Sequence, residues 1–222
     1  MKKIFYTTIL LFLLTTIWGM SKKNTYTDIL NNQDNHNQEI YVAGISGEMA
    51  IEACEKMRKD LSAAALVVKV KGKEKTEYFG RTARQLVEVV EVLKEEGLLQ
   101  GEEVYLTGEH WSLITYASPY SMERGFVNEC KRDKEYLVFL QGEIEFIKET
   151  VPIYELYTTT LISPVFSCEE HINIIPQPIG GTTYMKYGDV KDNEFFSVDE
   201  KGVRVFLELK KEIFKQYGIS VT

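Results

Sequence analysis

Four segments of this 222-residue chain carry the side-chain pattern of β-strands: 64–71 (AALVVKVK), 85–94 (QLVEVVEVLK), 103–107 (EVYLT) and 136–141 (YLVFLQ). Each is rich in valine or aromatic residues and is bounded by charged or glycine-bearing turns, as half-buried strands are. Tyrosine is the commonest ring in an aromatic content of 12%, which suits sheets whose faces are only partly covered. The expected fold class is therefore mainly β with flanking helices, an α+β protein.

Two helices are expected around these strands. Ser46 is an N-cap residue, and Ala50, Ala53, Cys54, Met57 and Leu61 follow at helical spacing with charged residues between them. Near the end of the chain Ser197 and Glu200 form the S-V-D-E pattern of a capping box. It opens a helix over 198–217 that Gly218 is placed to stop, with Val203, Phe206, Leu209 (or Leu207), Ile213 and Tyr217 on its buried side. A short strand over 39–45, one or two more strands within 153–178, and a turn at Gly180–Gly181 complete the elements.

The stretch 108–134 is too long for a hairpin and too aromatic for a plain linker. Its His110, Trp111, Tyr116, Tyr120 and Phe126 must pack on something or meet something. Loops on a rigid scaffold are common binding surfaces, and Trp and Tyr bring large contact area at low entropic cost. His110, Trp111, Tyr116 and Tyr120 are accordingly the candidate ligand-binding residues. The alternative is that these rings cover one end of the β structure as a small core.

The N-terminus speaks to location. Lys2 and Lys3 precede an uncharged run over 4–21, with Ile9, Leu10, Leu11, Phe12, Leu13 and Leu14 at its centre and Gly19 and Ser21 at its end. That is the layout of a secretory signal. As a helix the run would also reach roughly 27 Å, close to the hydrocarbon thickness, so it serves equally as an uncleaved anchor with Trp18 at the interface. Residues 22–38 are rich in Asn, Gln, Asp and Thr and read as a polar tether. The expected organisation is signal or anchor at 1–21, linker at 22–38, helix and β domain at 39–165, and a C-terminal extension at 166–222. The expected location is extracytoplasmic, secreted or held to the cell membrane by residues 4–21.

A net charge of -7 and a pI near 5.2 leave no basic surface for phosphates, which disfavours nucleic acid as a partner. Catalytic and cofactor signatures are weak. No G-x-S-x-G is present, and only His36, His110 and His171 could act as a base. Cys168, Glu169, Glu170 and His171 supply at most half of a tetrahedral metal shell and read as a solvated turn beside a buried thiol. Gly44 and Gly47 bracket a helix-opening turn without the lysine of a phosphate loop. Adjacent carboxylates such as Glu95–Glu96 diverge, against glycosidase chemistry. No cofactor or metal is expected. Cys54 is either a small buried hydrophobe or a disulfide partner of Cys130.

In order, the strand series 63–70, 89–94, 101–107 and 135–140 resembles the barrel of netrin-type modules and tissue inhibitors of metalloproteinases, found also in exported bacterial proteins. The resemblance spans about residues 62–141. It implies a five-stranded OB-like Greek-key barrel with its fifth strand near 154–162, and it favours a Cys54–Cys130 bridge because Cys130 stands where that family often has a half-cystine. It does not imply protease inhibition, since the N-terminal Cys-x-Cys that chelates zinc in those inhibitors has no counterpart. The expectation is a non-catalytic binding module of the bacterial cell envelope. The alternatives are an envelope hydrolase using His110 or His171, and a structural subunit of a membrane complex.

Overall fold

The computed structural model describes residues 15–16, 40–74, 76–79, 82–94, 98, 100–115, 120–145, 150–157 and 161–220. Leader and linker lie outside these, apart from Thr15 and Thr16, which are helical. Gln38–Thr222 forms one compact unit. Along it run β1 (Ile40–Ala43), α1 (Gly47–Asp60), β2 (Leu66–Gly72), β3 (Glu77–Phe79), β4 (Thr82–Lys94), β5 (Glu103–Thr107), β6 (Trp111–Thr115) and β7 (Tyr120–Arg124). Then come β8 (Glu135–Glu143), β9 (Ile153–Leu156), β10 (Val165–Ser167), β11 (Tyr184–Lys186), α2 (Tyr187–Val190) and α3 (Glu200–Tyr217).

Five strands close on themselves. β2 lies antiparallel between β4 and β8, β4 pairs with β5, β5 runs parallel to β9, and β9 returns antiparallel to β8. This is an OB-like Greek-key barrel, and closure removes the free edges that such apolar strands would otherwise expose. The alternation seen in the sequence is the cause. Val68, Val70, Val87, Val89, Val104 and Leu106 are fully buried. Their register pairs Val70 with Val89, Val87 with Val104 and Val68 with Val138. Burying each such side chain is worth about 1.5–3 kcal/mol.

β8 is buried on both faces, because the helices cover its outside. A ladder of rings joins α3 to the barrel: Tyr217 meets Phe139 edge-on at 5.6 Å, Phe166 stacks on Phe206 at 5.5 Å, and Phe206 stacks on Phe195 at 4.2 Å. α1 packs on α3. One carboxylate organises both helix starts: Asp199 accepts from Gly202 N (2.8 Å) at the head of α3 and from Gly47 N (2.7 Å) at the head of α1. The helix-opening turn at Gly47 thus holds an anion from its own chain.

Several expectations are corrected. α3 begins at Glu200 with Asp199 as N-cap, while Ser197 instead donates to Ile45 O (3.0 Å) and ties the two helix-opening segments together. The buried side of α3 includes Lys210 and Phe214 but not Val203 or Tyr217, which are only partly covered. The fifth barrel strand ends at Leu156. Cys54 and Cys130 are free thiols, each buried, so the bridge between them is not formed; burial pushes both up to about 12.

The stretch 108–134 contributes something the sequence did not announce. β6 and β7 form an antiparallel hairpin, and β7 adds parallel to β1, whose other edge pairs with β11. This second sheet has its own small core of Val42, Met122, Met185, Val190 and Phe196.

Candidate functional site

The turn after β5 carries His110, half-buried, and the turn after β7 carries Gly125 and Phe126, both left-handed at φ 59° and 60°. Glycine adopts that conformation freely, whereas for a phenylalanine it costs about 1–2 kcal/mol. It is held by main-chain bonds on either side: Ser163 N donates to Gly125 O (3.0 Å) and Phe196 N to Phe126 O (2.8 Å). The result is a groove of about 150 Å³, walled by His110, Glu123, Phe126, Leu161 and Phe196. Leu161 is 40% exposed at its rim. Chemically the groove is a mainly apolar slot edged by one imidazole, one carboxylate and part of the Arg124 side chain.

Beside it lies a buried polar knot. Arg124 is 2% exposed, and its guanidinium lies 3.7 Å over the Trp111 ring. Its Nη1 donates to Thr76 Oγ1 (2.7 Å) and its Nη2 to Gln85 Oε1 (3.1 Å). Thr76 passes the contact on to Glu129 Oε2 (3.0 Å), so the cation reaches a carboxylate through one hydroxyl. Gln85 is fully used: its Nε2 donates to Glu74 O and Cys130 O, and its Oε1 also accepts from Cys130 N. Trp111 donates to Ser163 Oγ (3.0 Å).

The second cluster lies beyond β10. His171 Nε2 is 2.8 Å from Ser167 Oγ and its Nδ1 is 3.1 Å from Asp192 O, an arrangement satisfied when Nδ1 carries the proton. Glu194 accepts from Ser167 N (2.8 Å) and pairs with Lys210 at 2.7 Å, both side chains at least 96% buried. Burial raises the Glu194 carboxyl above its usual range, against the pull of Lys210. The hole beside Ser167 and His171 measures about 10 Å³, room for one water.

The expected site residues are therefore separated. His110 faces the groove, whereas Trp111 is 1% exposed and gives its ring to Arg124. Tyr120 belongs to the backbone of β7, and its side chain, like all of Tyr116, falls outside the described residues. Cys168 is buried, and Glu169 is bound to Lys134 (2.6 Å). Among the described residues no cluster of His, Cys, Asp or Glu is placed to hold a metal, and no helix is long and apolar enough to cross a membrane. The larger recess, about 460 Å³ between the end of α3 and the barrel, has charged walls, with Lys69 bridging Glu91 and Glu135.

Arg124, Gln85 and Glu194 carried no usable signal in the sequence. Lys210 did, since it falls on the apolar stripe between Phe206 and Ile213. Set against known proteins, the sequence matches no family model and no curated relative. What the fold defines is an α+β protein built on a closed five-stranded barrel with a second sheet attached.

Proposed function

We propose that this chain is a non-catalytic binding module of the bacterial cell envelope, related to netrin-type barrels, and that its partner is an envelope protein or other envelope component. The observation that carries the reading is the strained Phe126 on the wall of a slot whose rim exposes Leu161. Backbone strain persists only where surrounding structure over-determines it, and such positions cluster where ligands are gripped. The kinship rests on the order of the barrel strands. The extracytoplasmic location rests on the leader composition, and a mature N-terminus at Lys22 would distinguish a cleaved signal from an anchor.

The test is retention of envelope extract components on the immobilised full chain, compared with His110→Ala and Leu161→Asp. Both variants should melt as the parent does and lose retention. Equal retention by all three would remove the groove from the account.

One observation favours an envelope hydrolase instead: the Ser167–His171–Asp192 carbonyl series has the geometry of a base-activated hydroxyl. Ser167 is 1% exposed, so a substrate would need the 168–174 segment to open. A serine-directed phosphonate that labels the parent and not Ser167→Ala would install this reading; no labelling would retire it.

A further inference from the structure

We propose that the segment 171–175 is an open strand edge through which two copies of this chain pair, antiparallel about Asn173. The segment is strand-like without belonging to a sheet. His171 and Asn173 turn inward: His171 reaches Ser167 Oγ, and Asn173 Oδ1 accepts from Glu194 N and Phe195 N, both at 3.0 Å. Ile172 and Ile174 turn outward and are 88% and 54% exposed. That inward–outward alternation is the two-residue period of an extended chain.

The main chain confirms the direction of the edges. Ile174 N donates to Asn193 Oδ1 (2.9 Å) and Ile174 O accepts from Asn193 Nδ2 (2.7 Å), so one side-chain amide stands in for a neighbouring strand. In an extended chain successive residues point their N–H and C=O to opposite sides. The groups of His171, Asn173 and Ile175 therefore face the other way, and among the described residues they have no hydrogen-bond partner. Two unmatched exposed isoleucines over an unpaired row of main-chain donors and acceptors make a template for strand addition.

The occupant is set by the local sequence, Ile172-Asn173-Ile174, which reads the same in both directions. Laid antiparallel on its own copy, Asn173 exchanges both main-chain bonds with Asn173 of the second molecule, and His171 does so with Ile175. Ile172 then lies directly opposite Ile174, twice, at the non-hydrogen-bonded positions where Cα atoms approach to about 4.5 Å. This is an isologous two-fold contact, self-complementary by construction. Charge agrees with it: Glu169 and Glu170 fall opposite Gln177 and Pro176, so no carboxylate meets a carboxylate. A foreign strand would have to supply that match independently.

Trapping by disulfide tests the register. Full-length Ile172→Cys and Ile174→Cys are prepared separately and oxidised mildly, alone and mixed; Cys54, Cys130 and Cys168 are buried and give little background. The expected result is a covalent dimer in the mixture, several-fold above either protein alone. Sedimentation of the full chain in detergent supplies the second measurement, with the leader common to all samples. The parent should dimerise as concentration rises, and Ile172→Asp/Ile174→Asp should stay monomeric. No excess in the mixture, a parent that stays monomeric throughout, or a double variant that dimerises equally overturns self-pairing.

Discussion

Arg124 shows how one residue can decide the character of a whole loop. A guanidinium taken out of water needs its charge answered, and here the answers are the Trp111 face, two side-chain oxygens and, through Thr76, Glu129. Trp111→Ala should therefore cost about 3–5 kcal/mol through the cavity alone, with the uncovered cation adding to it. A urea midpoint close to that of the parent would contradict this. Surface charges act more gently and with a definite sign. Hydrogen bonds from Lys131 and Lys73 hold the carboxyls of Asp192 and Glu88 below their usual range. A lowered carboxyl contributes stability above its unfolded value and loses it as pH falls through the folded one. The stability gap between the parent and Lys131→Ala should thus be present at neutrality and shrink as pH falls below the ordinary aspartate value, about 3.9. A gap of constant size, followed by thermal melts across that range, would show that the pair contributes nothing. None of these partners was legible in the sequence, because each contact joins residues from separate elements.

At the scale of elements, legibility followed the strength of the local pattern. β5 stands where its sequence placed it, and β2, β4 and β8 differ only at their ends, since alternating valines report a buried face directly. The second sheet was hidden because β1, β7 and β11 are short and far apart in the chain, and their parallel and antiparallel pairing is visible only once they meet. The start of α3 was misread for a different reason. Ser197 and Asp199 are both good caps, and the choice falls to Asp199 because its second oxygen also holds Gly47 N. Asp199→Ala removes the N-cap of α3 and also the acceptor for Gly47 N in the first turn of α1, which keeps Ser46 as its own cap, and should cost about 1–2 kcal/mol in all. Asp199→Asn, which keeps an acceptor, should recover part of it. Equal stability of all three chains in chemical denaturation would mean that the shared cap is not formed. As for the candidate site, His110 was legible as a loop residue, whereas Phe126 was seen only as a ring needing company. Its left-handed backbone is imposed by Ser163 and Phe196, neither of them near it in sequence.

The molecule as a whole depends on closure. With β9 held between β5 and β8, the barrel wall is continuous where β6 packs beside β4, and the groove at Phe126 takes its shape from the Ser163 and Phe196 main-chain bonds. With β9 free, the sheet opens, β5 becomes an exposed edge, and neither the Ser163 contact nor the Trp111 cover would be fixed. Two main-chain bonds report closure from opposite sides of β9: Tyr105 N to Pro152 O (2.9 Å) and Tyr157 N to Phe139 O (3.0 Å). Scalar couplings across these two hydrogen bonds, read by NMR on the labelled chain, are the direct measurement. The account predicts both couplings in the same sample; finding only one of them, or neither, would mean an open sheet and would contradict it.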